Sequence, residues 1–520
     1  MSGPRRRIVV VGAGIAGLGT AALLAQDGHE VTVLEASDDL GGRAGLWEKD
    51  GFRFDTGPSW YLMPEVFDHF FRLLGTTAQA ELDLIPLDPA YRVFPEAGRG
   101  PSQPFDVVSG RESARELFES IEPGSGARVD AYLDSAADAY RLAVDRFLYD
   151  TYESPAGLLS PQLLPRLPRL APLLTGTLDA FVRRRFRDRR LRQVLGYPAV
   201  FLGGSPDRVP ALYHLMSHLD LDDGVLYPQG GFTALIDAIA RLARARGATI
   251  VTGAEVAGID VEHGRARGVH DTQGRVWTAD DVVSTADLHH TETELLPEPW
   301  RTYPEAWWRR RTPSPGALLL MLGVRGSLPQ LSHHNLLFTA DWNGGFDAIF
   351  GRNRRIPDPA SLYVCRPSAT DAAVAPPGDE NLFVLVPMPA DPSLGRGGIA
   401  GDGDRIIERA ADAVIDQIAS WCAIPDLAER VVVRRTVSPG DFEADLHAWR
   451  GTALGLSHTL RQSAFWRPHN ASRKLPGLYY AGTSVLPGIG LPMCLISAEL
   501  VVKRLRGDRT VGPLPEPGPA

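Results

Sequence analysis

Residues 7–35 read RIVVVGAGIAGLGTAALLAQDGHEVTVLE. A short β-branched run, 8–11, stops at Gly12-Ala13-Gly14-Ile15-Ala16-Gly17. An uncharged helical stretch follows to residue 25, and a second strand runs over 30–34. In this order the first glycine permits a tight turn. The second lets a pyrophosphate approach the backbone, and the third lets the helix lie close to the strand. The N–H groups at the helix start face the phosphates. Glu35 closes the second strand, 18 residues after Gly17, where a carboxylate accepts both hydroxyls of an adenosine ribose. The reading is a βαβ dinucleotide site and an α/β fold. A second loose match, Gly395-Arg396-Gly397 to Ala400, follows Asp391-Pro392 rather than a strand, so one such site is expected.

A chain of 520 residues has room for about two to four domains. Its 44% hydrophobic and 22% charged residues are those of an ordinary globular protein. A net charge of −9 argues against a general nucleic-acid binder. Of 54 basic residues only Lys49, Lys474 and Lys503 are lysine, so runs of arginine are read with caution. Three scattered cysteines, Cys365, Cys422 and Cys494, offer neither a zinc spacing nor a disulfide scaffold, and a reducing, cytoplasmic setting is expected.

Two stretches mimic other structures. Arg5-Arg6-Arg7 before the uncharged run 8–25 imitates a signal peptide, but that reading would discard a whole strand–turn–helix unit. Residues 475–498 carry no Asp, Glu, Lys or Arg and are long enough to cross a bilayer. Pro476, Gly482, Pro487, Gly488, Gly490 and Pro492 break any continuous helix, so the segment reads as buried loop and strand around a ligand. Elsewhere, periodicity predicts helices over 64–74, 232–246, 404–421 and 493–505. Residues 110–220 read as mostly helical, interrupted by a proline-rich stretch at 155–172. Strands are expected at 249–252, 265–270, 280–285, 316–324 and 382–388.

After Glu35-Ala36 come Gly41-Gly42-Arg43, then Asp55-Thr56-Gly57-Pro58-Ser59. Tyr227-Pro228-Gln229-Gly230-Gly231 precedes a helix, Ala254-Glu255-Val256 follows it, and Val283 to Asp287 comes later. The closing run holds Leu478 to Ser484 and then Pro487-Gly488-Ile489-Gly490-Leu491-Pro492-Met493. With Tyr363–Pro367 and Gly455–Pro468, these segments span nearly the whole chain. Together they resemble the bacterial and fungal type of phytoene desaturase, within the superfamily of amine and protoporphyrinogen oxidases.

The resemblance implies a discontinuous Rossmann-like FAD-binding domain at 1–80, 225–300 and 430–510. It also implies an inserted substrate domain of sheet plus helices at 81–224 and 301–429, which associates with membranes. A disordered tail is expected at 511–520. FAD contacts are implied for Gly12, Ala13, Gly14, Ile15, Ala16, Gly17, Glu35, Ala36, Gly42, Arg43, Gly57, Pro58, Ser59, Val256, Gly482, Thr483, Gly490, Leu491, Pro492 and Met493. Val256 would touch adenine through its backbone, and the helix start after Gly490 would face the flavin. The sequence departs from the family at Gly482-Thr483-Ser484-Val485-Leu486-Pro487, where many members carry Gly-Thr-His-Pro, so no role of that histidine carries over.

The implied reaction is stepwise dehydrogenation of phytoene towards lycopene, with oxygen or a quinone as final electron acceptor. A hydrocarbon offers no hydrogen-bond handle, and no catalytic triad is found; the proton acceptor has no sequence signature. The implied partners are a lipid-soluble polyene and a membrane surface. The leucine- and arginine-rich stretch 158–186 suits peripheral contact. No metal site is expected. His214 and His218 lack a third ligand, and the neighbours His289-His290 and His333-His334 would point to opposite faces of a strand. The alternatives are another carotenoid or diapocarotenoid desaturase, a ketolase, an isomerase or an amine oxidase. A non-redox prenyl-lipid carrier is the alternative from another class.

Overall fold

The computed structural model describes residues 4–100, 102–153 and 167–517. Strands Arg7–Val11 and Glu30–Leu34 lie parallel, joined by helix Ile15–Gln26. They form the middle of a five-stranded sheet in the order Leu478–Tyr480, Asp281–Ser284, Arg7–Val11, Glu30–Leu34, Thr249–Val251. All four pairings are parallel. Helix Ile15–Gln26 is buried from Ile15 through Ala25, because helices Phe232–Ala245 and Leu491–Arg506 flank it. Small residues make that possible: a Cβ on Gly19 would stand 3.0 Å from the Leu495 side chain. A three-stranded antiparallel sheet, Val256–Glu262, Arg265–Asp271 and Val276–Thr278, adjoins this unit.

Between Leu34 and Thr249, and again between Ser284 and Leu478, the chain leaves the parallel sheet. It builds a seven-stranded sheet in the order Val431–Val437, Gly316–Val324, Glu380–Met388, Leu362–Cys365, His334–Phe338, Tyr91–Pro95, Phe105–Val107. Only the pair His334–Phe338 and Tyr91–Pro95 is parallel. Gly316–Val324 is buried at every position. Leu318, Leu320 and Leu322 face helix Arg405–Trp421 through Ile407, Val414 and Ile418. Ala317, Leu319 and Met321 face the other way, towards a core shared with helices Arg111–Ile121, Gly126–Ala143, Leu178–Arg183 and Arg189–Gly196. A strand covered on both faces loses its polar alternation, which is why this one reads as a continuous apolar run.

Two expectations are corrected. Residues 431–437 do not begin the cofactor unit; Val431–Val437 is an edge strand hydrogen-bonded to Gly316–Val324, and the boundary expected at 430 falls after it. Residues 511–517 are not a disordered tail. The Leu514 N–H donates to Glu499 Oε1 at 2.5 Å, and Leu514 is buried. Lys503 Nζ donates to the carbonyls of Tyr149, Thr510 and Gly512 at 2.9, 2.5 and 2.8 Å. Charged groups on the inner face of the last helix need partners, and this segment supplies them. Residues 518–520 lie outside the described residues. The uncharged segment 475–498 forms strand Leu478–Tyr480, a loop and the start of helix Leu491–Arg506. Among the described residues no helix is long and apolar enough to cross a membrane.

Candidate functional site: a cofactor cradle beside an aromatic wall

The glycine loop is shaped by two close approaches. Gly12 has φ +95°, and its N–H donates to the Leu34 carbonyl at 2.8 Å. A Cβ on Gly17 would overlap the Gly12 carbonyl oxygen. Thr285 Oγ1 closes the back of the turn, donating to the carbonyls of Val11 and Gly12 at 2.9 and 3.1 Å. Gly14 differs: a Cβ there meets nothing nearer than the Gly41 carbonyl oxygen at 3.7 Å. Space is therefore left open at the helix start, where the first N–H groups have no intrahelical acceptor. Ile15 and Ala16 form that first turn.

Glu35 is turned onto this loop. Its Oε2 accepts the Ala13 N–H at 2.6 Å and its Oε1 the Ser37 N–H at 3.0 Å. Ala36 beside it is exposed. The Ala254 N–H donates to the Glu35 carbonyl at 2.8 Å, which brings buried Val256 to the same end of the sheet. Gly41 donates its N–H to the Ala13 carbonyl at 3.0 Å, and a Cβ on Gly42 would stand 3.5 Å from Gly14 Cα. Arg43 follows. Its Nε and Nη2 are buried and have no hydrogen-bond partner among the described residues. Gly57 is wedged against the Arg43 carbonyl with no room for a Cβ. Pro58 and Ser59 follow, and the Ser59 and Tyr363 hydroxyls share a hydrogen bond of 2.7 Å. Asp55 holds helix Phe232–Ala245 by its first turn, accepting the Phe232 N–H at 2.7 Å and the Thr233 hydroxyl at 2.9 Å.

The C-terminal loop closes the cradle. Gly482 donates its N–H to Ser497 Oγ at 3.1 Å and faces Ala16 at the start of the glycine-loop helix. Gly490, with φ +125°, caps helix Leu491–Arg506, whose first turn is Leu491, Pro492 and Met493. Two helix N-termini therefore come from helices lying side by side, an arrangement that favours bound negative charge. Behind the loop lies Arg467, which is fully buried. It donates to the carbonyls of Val485, Gln462 and Leu456 at 3.0, 3.1 and 3.3 Å, and to that of Thr483. No carboxylate pairs with it among the described residues. Burial pushes its pKa down only to about 10, so it stays charged at neutral pH.

Directly after Ser59, Trp60 enters a wall of rings. Tyr91, Phe201, Tyr363 and Tyr197 lie 5.6, 5.8, 5.9 and 6.2 Å from it, centroid to centroid. His334 is stacked flat on it at 4.3 Å and 8°. Below the wall the Tyr91 and Tyr197 hydroxyls donate to Asp220 Oδ2 at 3.1 and 2.7 Å, while Asp220 Oδ1 is buried without a partner. Burial pushes the Asp220 pKa up to about 7.

One of the three histidine pairs differs from expectation. His214 and His218 do not converge with Asp220. His214 bonds Ser135 Oγ and the Ala211 carbonyl, and His218 pairs with Asp222. His289 and His290 diverge, to Glu305 and to the His447 ring. His333 and His334 do not point apart. His333 precedes the first residue of strand His334–Phe338, so strand alternation does not govern it, and the two rings meet at 4.6 Å. One ring nitrogen of each and the Cys365 sulfur fall within 4.8 Å of one another, the one such three-residue set among the described residues. The expectation that this pair could not converge is thus corrected. Part of the signal is in the sequence, where His333-His334 stands one residue, Asn335, before the apolar run Leu336–Phe338; that Cys365 is the cross-strand partner of His334 needs the structure.

Residues 15–506 match the family model described as flavin containing amine oxidoreductase. The chain belongs to this family. Carotenoid 3,4-desaturase of Haloarcula japonica is 41% identical over 503 residues, covering 96% of this chain and 98% of that protein. The zeta-carotene-forming phytoene desaturase of Myxococcus xanthus is 37% identical, covering 96% and 94%. An oxidoreductase from Methanosarcina mazei of known structure shares the fold, with TM-score 0.62 at 18% identity over 96% of this chain and all of that one. The chain is thus a carotenoid-desaturase-like flavin amine oxidoreductase, and its cofactor is FAD. The residues present fit that group. The unpartnered Arg43 guanidinium suits a pyrophosphate, the open space over Gly14 and Gly42 admits one, and Glu35 stands where a ribose is gripped. The helix start after Gly490 suits a flavin edge that gains negative charge.

Proposed function

We propose that this flavin amine oxidoreductase desaturates phytoene in successive C–C dehydrogenations towards lycopene, at a membrane surface. When bound, FAD supplies the hydride acceptor; orientation and exclusion of water fall to the protein. The observation that carries the reading is the ring wall around Trp60, joined without a break to Gly57-Pro58-Ser59. Such a wall grips an apolar polyene by area, and ring faces stabilise the cation-like carbon left by hydride loss. The desaturase names of the relatives support the same chemistry.

Membrane contact follows from a substrate that dissolves in lipid. Of the stretch 158–186, residues 158–166 lie outside the described residues, as do the side chains of Leu167 and Arg169. Leu170 and Leu173 are buried and Leu174 is exposed. Leu460 and Trp466, on neighbouring turns, are 40% and 61% exposed and add an apolar patch.

A second reading, 3,4-desaturation of an already conjugated carotenoid, is favoured by the 41% identity to the Haloarcula japonica protein. The carrier reading is disfavoured by the unpartnered Arg43 beside the intact glycine loop. The test is incubation of the FAD-loaded protein with phytoene or with lycopene in liposomes, under oxygen or with an added quinone. Lycopene formed from phytoene supports the first reading. Product from lycopene alone selects the second, and no product from either, with FAD bound, overturns both.

A further inference from the structure

We propose that His334 is the base that takes the proton in each dehydrogenation: its Nε2, buried and unpartnered, belongs to a ring stacked on Trp60 beside the segment that carries the flavin-contacting residues. The inference rests on the desaturase reading above and names the group which that reading leaves open. Two observations converge on it. Nε2 of His334 has no hydrogen-bond partner among the described residues although the residue is fully buried, an arrangement that costs free energy unless something else meets that atom. The other nitrogen is held: Nδ1 shares a hydrogen bond of 2.7 Å with the Tyr363 hydroxyl, which in turn meets Ser59 Oγ at 2.7 Å. In the tautomer that donates Nδ1–H to the Tyr363 oxygen, Nε2 presents its lone pair.

The electrons and atoms balance as follows. One C–H bond of the polyene breaks with its electron pair, which leaves as hydride to FAD. The C–H bond on the adjacent carbon then breaks; its electron pair becomes the new C=C bond and its proton goes to His334 Nε2. The positive charge moves from carbon to imidazole, so the summed charge of substrate and wall is unchanged in the second step. As the product moves away, Nε2 gives its proton to water, and the ring returns to its starting tautomer with Nδ1–H still held by Tyr363. Burial holds the His334 pKa well below the usual histidine value, followed in weight by its neighbour His333. A weak base suffices, because a proton beside a carbocation is very strongly acidic, and a weak base gives it up again quickly.

Three rivals are less well placed. Asp220 has an unpartnered Oδ1, but its Oδ2 takes two tyrosine hydroxyls and the carboxyl sits behind the rings that touch Trp60. His333 also has a buried, unpartnered Nε2, but its Nδ1 bonds Thr370 Oγ1 at 2.7 Å and its ring lies against Tyr227 rather than Trp60. A cation shared by His333, His334 and Cys365 would meet the Arg366 guanidinium nearby, whose charge helps hold the His333 pKa down to about 3. The neighbouring carboxylates are engaged elsewhere: Glu380 with Arg366 and Ser368, Asp55 with Phe232 and Thr233, and Asp371 with Gly230. Burial also pushes the Cys365 thiol up to about 12, which keeps it protonated.

The test compares FAD-loaded parent, His334→Ala and His334→Gln in liposomes holding phytoene and lycopene. Bound flavin, bound metal and product are measured with and without added imidazole. Both variants are expected to hold FAD like the parent and to lose on the order of 10²–10⁴-fold in turnover. Imidazole restores part of the loss in His334→Ala and none in His334→Gln, a split that a merely structural role would not produce. Turnover within about twofold of the parent in either variant overturns the base. So does a loss in His334→Ala that imidazole leaves untouched, or one equivalent of metal in the parent that both variants lack. An inactive parent marks failure of the desaturase reading; an active variant marks failure of the base.

Discussion

Gly12 and Gly17 face each other with no room for a methyl group between them: a Cβ on Gly17 would overlap the Gly12 carbonyl oxygen. Gly14, between them in sequence, meets nothing nearer than 3.7 Å. The two positions therefore answer different questions. Gly17→Ala forces backbone against backbone and is expected to cost ~1–3 kcal/mol or more, seen as a lower Tm of the FAD-free protein. Gly14→Ala is expected to leave that Tm within a degree or two and to lose FAD, because only the pyrophosphate's space is filled. Equal FAD affinity in Gly14→Ala would remove the phosphate from this loop.

Glu35→Arg should weaken FAD binding. It removes a carboxylate whose charge-assisted hydrogen bonds are each worth ~1.5–3 kcal/mol, or roughly ten- to a hundredfold in Kd. Flavin fluorescence on dilution reads the Kd directly. Unchanged affinity would mean that the carboxylate serves only the Ala13 and Ser37 N–H groups it meets in this structure.

Arg43→Met separates binding from folding. The guanidinium has two buried nitrogens without partners, and an unpaired buried charge destabilises a fold. The FAD-free variant should match or exceed the parent in Tm, whereas FAD affinity should fall at least about tenfold. A variant that melts lower without FAD would assign Arg43 a structural task instead.

Asp220 makes stability depend on pH. Its carboxyl keeps a proton up to about pH 7 in the folded chain, against an ordinary value of 3.8. Between those values the folded state binds more protons than the unfolded one, so this group's contribution is full at low pH and is lost as pH rises towards 7. The slope is at most about 1.4 kcal/mol per pH unit for one proton. Asp220→Asn should flatten the profile in that interval, and the carbonyl of Asn can still accept from Tyr91 and Tyr197. Parallel profiles for parent and variant would place the proton elsewhere.

Leu460→Glu with Trp466→Glu should reduce flotation with liposomes and leave bound FAD unchanged, since both side chains are exposed. Equal flotation would move the membrane contact away from this patch.

The cofactor unit was legible because its demands are local. A strand, three glycines and a terminal acid at fixed spacing can hardly serve another purpose, and the structure assembles them as a parallel βαβ unit. What stayed hidden is set by partners far along the chain. Arg467 is one arginine among many until tertiary structure surrounds it with four carbonyls. Residues 511–517 look like a proline-rich end, and only the inward-facing Glu499 and Lys503 explain why they stay in place. The boundary expected at 430 misplaces Val431–Val437, because the alternation within a strand fixes a face and not a neighbour. His333 and His334 were assigned opposite directions by a rule that holds inside strands, and His333 stands one residue outside.

The parallel sheet takes its strands from residues 7, 30, 249, 281 and 478 onwards. A chain emerging from the ribosome therefore completes this βαβ motif's sheet long after the motif itself has been made. Strand Arg7–Val11 cannot gain the full sheet, nor helix Ile15–Gln26 its neighbour Leu491–Arg506, until almost everything between has been made. Such long-range pairing is slow and leaves apolar edges waiting. A cradle that draws on Gly12–Gly17 and on Gly482–Met493 can hold FAD only once the second of these segments has been made and folded against the first.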